Sequence, residues 1–222
     1  YMNYTGLRRG DSDFDYVSAG DINRNGLIDA YDISVVATQL EDGIENPGTD
    51  RVAGTIFLST PKQTYNAGET VEITVKGDSV KAVNALSFAL PYDQQDYDFV
   101  GIEPANLGTM ENLTYDRLHT NGQKALYPTF VNLGDKQVLE GSEDLFTIKL
   151  KAKRKVTFNL KAVDGILVDK NLNIREFISR ISDIPSMQTY YTVSFAPSCR
   201  ISLTPQPGDL SLIHISEPTR LL

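Results

Sequence analysis

The spacing of apolar residues changes once along this chain, and the change limits what it can fold into. Early on they fall at Ile28, Ile33, Val36, Ala37 and Leu40, the one-face spacing of a helix of about three turns. Beyond Ala53 they alternate. Thr70-Val71-Glu72-Ile73-Thr74-Val75-Lys76 sets Val71, Ile73 and Val75 on one side and polar residues on the other, the pattern of a half-buried strand. Glu41 to Arg51, rich in Gly, Pro and Asp, separates the two regimes.

Further strands are predicted at Thr55–Ser59, Val83–Leu90, Tyr97–Ile102, Ala125–Phe130, Asp144–Lys151, Val156–Leu160, Gly165–Val168 and Asn173–Phe177. Residues 169–173 form the hairpin turn before the last of them. Short strands broken by turns at such intervals predict a mainly β fold, an antiparallel β-sandwich. The expected organisation is a loop-helix module over 1–45, a linker over 46–52, the sandwich over 53–181, and a linker or further module over 182–209, where Met187–Ala196 reads as one more strand.

The segment ahead of the sandwich carries metal-ligand spacing. Asp21-Ile22-Asn23-Arg24-Asn25-Gly26-Leu27-Ile28-Asp29-Ala30-Tyr31-Asp32 places side-chain oxygens at positions one, three, five, nine and twelve of a loop, with Gly at six. Calcium takes roughly 6–8 oxygen ligands, and a loop of this spacing can wrap one. Asp21, Asn23 and Asn25 would face inward and Leu27 would offer its carbonyl. Asp29 would bind directly or through water, and Asp32 would close the sphere. Gly43 is expected to stop the helix that follows. A calcium sensor would also show a helix entering the loop and Glu at position twelve. Here Ser12–Gly20 reads as short and polar, and position twelve is Asp.

Charge agrees with a cation. The net charge is -8, and residues 1–50, with ten acids and three bases, carry nearly all of it. That balance argues against nucleic acid. No apolar run reaches the length of a membrane span. Cys199 is the only cysteine, so an intrachain disulfide is excluded, and it reads as a small apolar residue in a strand. The chain opens on Tyr1 and is expected to be a fragment of a longer protein.

Catalytic constellations are missing from the pattern. His119 and His214 are the only histidines, too few for a triad or a histidine metal site. No phosphate-binding or dinucleotide fingerprint occurs. Glu103, Glu140, Glu143 and Asp144 read as surface acids in turns rather than a glycosidase pair. Arg9-Gly10-Asp11 spells the adhesive tripeptide, a match too short to carry weight. Asp11, Asp13 and Asp15 alternate as ligands do, but Tyr16 and Ile22 occupy the places where a second loop needs Gly and an acid.

The loop with its helix resembles a type I dockerin half-repeat, although dockerins carry two such repeats and this chain shows one. The β region resembles a cohesin domain. That likeness rests on Ala67-Gly68-x-Thr70-Val71, Val83-Asn84-x-x-x-Phe88-x-Leu90-x-Tyr92-Asp93, Tyr97-x-Phe99-Val100, Glu103-Pro104 and Lys161 to Asp169, and covers about Ala53 to Ile181. The resemblance implies a cohesin-like jelly-roll sandwich and a non-catalytic, calcium-stabilised scaffolding region. Its partner would be a cohesin- or dockerin-type protein module, in cis or in trans. The parent would be a secreted or surface (or periplasmic) polysaccharide-degrading protein of a Bacteroidetes-like bacterium. The alternative is a carbohydrate-binding module of a glycoside hydrolase with polysaccharide as ligand, which the lack of Trp disfavours. Leu210 to Arg220 (LSLIHISEPTR) resembles a translated sequencing adapter, so 210–222 is set aside from the fold.

Overall fold

A computed structural model of the chain describes residues 2–39, 44, 47–177, 180–181, 192–195 and 201–204. Two compact units divide it, Tyr1–Ile184 and Pro185–Leu222. In the second, Thr192–Phe195 pairs antiparallel with Ile201–Thr204. The strand expected over Met187–Ala196 corresponds to the first of these, while Cys199 and 210–222 lie outside the described residues.

The first unit is a sandwich preceded by a helical segment. Its helices are α1 (Phe14–Val17), followed by a 3-10 turn over Ser18–Gly20, and α2 (Ala30–Thr38). Its strands are β1 (Ala53–Ser59), β2 (Thr64–Tyr65), β3 (Thr70–Val83), β4 (Ala85–Tyr92) and β5 (Tyr97–Pro104), then β6 (Glu111–Asn112), β7 (Tyr115–Leu118), β8 (Lys124–Tyr127), β9 (Thr129–Val131) and β10 (Leu139–Gly141), and finally β11 (Asp144–Ala152), β12 (Val156–Thr157), β13 (Val163–Val168), β14 (Ile174–Phe177) and β15 (Arg180–Ile181). One sheet runs β15-β1-β3-β11-β5, with β10 also on β3. The other runs β14-β13-β4-β8-β7, with β9 on β4 and β6 on β9. All pairings are antiparallel except β1 with β15.

Alternation builds the core between the sheets. Ile56 and Leu58, Val71, Ile73 and Val75, and Phe146, Ile148 and Leu150 come from the first sheet. Leu86, Phe88, Leu90, Leu126 and Phe130 meet them from the second. Phe146 lies at the centre, 4.6 Å from the ring of Phe130 and 6.3 Å from that of Phe88, within the range of favourable aromatic pairs.

Several expectations need correction. The strand predicted over Ala125–Phe130 breaks at Pro128, which has no N–H to give a ladder, so β8 ends and β9 begins around it. Strand pairing over Val156–Leu160 is confined to Val156–Thr157 with β2. Helix α2 starts at Ala30 rather than Ile28, because Asp29 caps it: its side chain accepts from the Tyr31 N–H while Asp32 accepts from the Asp29 N–H. It ends at Thr38 with Gln39 as its C-cap. Leu40 and Gly43, the expected last turn and stop, lie outside the described residues. Ser12–Gly20 is not simply a polar lead-in. Phe14 and Val17 make a short helix by burying three-residue-spaced side chains against Leu7 and Ile28.

Glu103, Glu140 and Asp144 stand on strands rather than in turns, with exposed side chains. Glu103 and Asp144 pair with Lys149 and Lys76.

Candidate functional site

Strand β4 locates the site. Its sequence Ala85-Leu86-Ser87-Phe88-Ala89-Leu90 alternates small and large, and both sets are buried. Leu86, Phe88 and Leu90 point into the core. Ala85, Ser87 and Ala89 point outward and are covered by the N-terminal segment. Ala30 and Ile33 of α2 pack with Ala85, Val131, Ile166 and Val168, and Leu27 packs with Ala89, Ala125 and Tyr127. Small residues on the strand let the helix approach until the Ala30 N–H donates to Ser87 Oγ at 3.1 Å.

Polar contacts fasten the rest of the segment. Thr5 Oγ1 donates to the Leu113 carbonyl at 2.6 Å, and Arg117 donates to the carbonyls of Thr5 and Asn3. Arg8 pairs with Asp164 at 2.6 Å. Residues 6–9 form a short antiparallel bridge with 26–28, Arg8 opposite Leu27. Asp11 reaches His119 and accepts from its Nδ1–H at 2.7 Å, while Nε2 meets the Tyr127 hydroxyl at 2.7 Å. Burial disfavours the Asp11 charge, but the N–H groups of Arg8 and Thr120 and the His119 contact outweigh it and hold the carboxyl below its usual range. The acid of Arg9-Gly10-Asp11 is thus engaged inward rather than displayed.

The predicted loop residues do come together. Asp21, Asp29 and Asp32 are buried at 6, 4 and 1% exposure. Asp21 Oδ2 accepts from the Gly26 N–H at 2.9 Å, and Gly26 has φ +86°, where L side chains are strained. Asn23 Oδ1 and Asn25 Oδ1 accept from the N–H groups of Asn25 and Leu27, and Asn25 Nδ2 donates to Asp29 Oδ2. Asp32 accepts from the N–H groups of Ile22 and Asp29.

These carboxylates are poorly compensated. Burial, then the Asp29 charge, pushes Asp32 up to about 7. Burial, with a contribution from Asp21, raises Asp29. The cation near Asp21 is the exposed Arg9, at 3.6 Å. Asp21 Oδ1 is buried with no hydrogen-bond partner. Among the described residues no three His, Cys, Asp or Glu side chains form a metal cage on their own. A calcium loop does not require that, since amides and carbonyls share the ligation, and a carboxylate oxygen accepting one N–H keeps a second lone pair. The all-oxygen donor set and the orphaned Asp21 oxygen fit a hard divalent cation. A cleft of about 530 Å³ between the loop and β13–β14 is lined by Asn25, Leu27 and Asp29 on the loop side.

Sequence reading missed His119 as part of the site, as well as Ser87. The small-large alternation of β4 was the available signal for Ser87; nothing local marked His119. The exposed aromatic side chains among the described residues, Tyr4 and Tyr16, both lie in the N-terminal segment. No described helix is long and apolar enough to cross a membrane.

Cohesin modules are among the solved structures similar to this chain. A type I cohesin–dockerin complex from Clostridium thermocellum matches with TM-score 0.43 and 13% identity, over 57% of this chain and 90% of that one. A type II cohesin domain from the cellulosome of Acetivibrio cellulolyticus gives 0.46 and 11%, over 61% and 97%. The cohesin module of a Clostridium perfringens family 33 glycoside hydrolase gives 0.41 and 13%, over 59% and 98%. No curated protein matches in sequence. The cohesin domain family model matches residues 56–177, more than half of the sequence, and the chain belongs to the cohesin domain family.

Proposed function

We propose that the sandwich binds a dockerin-type loop-helix module and that residues 2–38 fill that role in cis. Cohesin domains are non-catalytic modules for protein–protein assembly. The dockerin-like loop supplies a partner of the matching kind within the same chain. One observation carries the reading: the outward side of β4, Ala85, Ser87 and Ala89, is buried by Leu27, Ala30 and the rest of this segment.

Calcium is the proposed cofactor, held by Asp21, Asn23, Asn25, Leu27, Asp29 and Asp32. When bound, it offsets the charge of three buried carboxylates. Asp29 and Asp32 then order the first turn of α2, and the cap presents the Ala30 N–H to Ser87. Because the ion binds the folded loop, its binding free energy adds to folding and docking. The chain is read as a scaffolding part of an extracellular, cell-surface or periplasmic polysaccharide-degrading protein.

The test is a protease site placed in residues 40–46 of the full chain. After cleavage the two pieces stay associated in millimolar calcium and separate in excess chelator. Separation under both conditions defeats the docking reading; indifference to chelator defeats the calcium reading. Affinity electrophoresis on a polysaccharide panel shows no retardation if the face serves protein; retardation by one glycan favours the carbohydrate-binding alternative.

A further inference from the structure

The contacts that fasten the N-terminal segment to the sandwich differ in how much sequence they read. Leu27, Ala30 and Ile33 meet an apolar surface, which takes any helix of suitable shape. Arg117 bonds to the backbone carbonyls of Thr5 and Asn3, which every residue carries, and Thr5 donates to the Leu113 carbonyl through a hydroxyl that Ser carries as well. Arg8 and Asp164 pair with side chains 30 and 54% exposed, and a pair so wet discriminates little. Asp11 and His119 are different. Their side chains are 9 and 4% exposed, and each bonds the other through an atom specific to its type.

We propose that Asp11 and His119 form the specificity-determining contact of this face, admitting loop-helix segments with a carboxylate at the Asp11 position and rejecting those without one. This rests on the docking reading above and names the partner it selects. The face is built around the contact. Tyr127 fixes the far nitrogen of His119 at 2.7 Å and packs edge-on against its ring. The carboxylate also accepts from the Thr120 N–H at 3.1 Å, one residue beyond His119, so the β7–β8 turn offers it two donors. Within its own segment it accepts from the Arg8 N–H at 2.9 Å, which holds it in position. A segment lacking the acid leaves the buried His119 Nδ1–H without a partner, and an unpaired buried donor is a penalty that selects against such a segment. An apolar residue there loses roughly tenfold or more in affinity.

The experiment uses the full chain nicked at 40–46 in calcium, as wild type, D11A, H119L and the double variant. Association of the two pieces is read by dilution in the ultracentrifuge. Where they stay together at every dilution, exchange between isotope-labelled and unlabelled nicked chains is read by native mass spectrometry. D11A weakens association roughly tenfold or more in the wild-type background and by less than about threefold beside H119L. H119Q replaces H119L if the latter lowers the melting temperature of the sandwich. An equal D11A effect in both backgrounds, or none in either, overturns the proposal while leaving docking intact. Wild-type pieces that separate at once overturn docking itself, and the proposal with it.

Discussion

Ser87 Oγ accepts the backbone N–H of Ala30 at 3.1 Å, joining the middle of β4 to the first residue of α2. A helix start leaves its first N–H groups without intrahelical partners, and here one of them is buried against a sheet. Ser87 therefore completes the cap that Asp29 and Asp32 begin. S87A leaves this N–H unpaired and weakens docking by about 1–3 kcal/mol. Hydrogen exchange at the α2 amides checks it: their protection falls while that of the β3–β11 ladder is kept.

Calcium should raise stability through Asp21 and Asp32. At a hundredfold excess over Kd, a bound ion adds about 2.7 kcal/mol. D21N and D32N each remove most of the calcium-induced rise in melting temperature. On the metal-free chain D21N has a small or stabilising effect, because it neutralises a buried charge, whereas D32N also removes one of the two N–H acceptors at the start of α2 and destabilises. Differential scanning calorimetry with and without calcium measures both terms.

The metal-free chain has the opposite pH response from an ordinary ion-paired fold. Asp29 and Asp32 bind protons more tightly folded than unfolded, Asp32 with its value pushed up to about 7. Between the unfolded carboxylate range near 4 and that value, the folded state holds more protons, so stability falls as pH rises. In chelator the melting temperature should drop from pH 5 to pH 7.5. Saturating calcium should flatten or reverse the trend, since the ion needs the carboxylates charged. Parallel pH series measure the contrast.

What the sequence disclosed followed from which physical signals are local. The β3 alternation and the 169–173 turn each read from a few neighbouring residues, and their counterparts are in the fold; the spacing of Asp21 to Asp32 is equally local, and those side chains gather in one loop. Asp169 illustrates the turn: its carboxylate accepts from the N–H groups of Asn171 and Asn173. Phe14 and Val17 were too few to register as a periodic pattern, and α1 forms because Leu7 and Ile28 bury them. His119 looked incidental because its partners are Asp11, far away along the chain, and Tyr127. Pairings across such separations leave no periodic trace in one sequence. The outward row of Ala85, Ser87 and Ala89 was readable, but it states only that something approaches closely, not what.

Two glycines in the N-terminal segment separate backbone strain from docking. Gly6 and Gly10 both have positive φ, +84° and +101°, so alanine strains either one by roughly 1 kcal/mol. At Gly10 an added Cβ meets nothing within 4 Å. At Gly6 it falls 2.4 Å from Cδ2 of Tyr127, whose ring packs with Leu27 and whose hydroxyl holds His119. G6A must therefore push Tyr127 aside or lift the segment, disturbing the apolar contact and the Asp11–His119 contact together. G10A should cost only its strain. In the nicked chain G6A should weaken association roughly tenfold beyond G10A, a gap of about 1.4 kcal/mol. Equal effects from the two variants would mean that the Gly6–Tyr127 approach contributes nothing to holding the segment on the sheet.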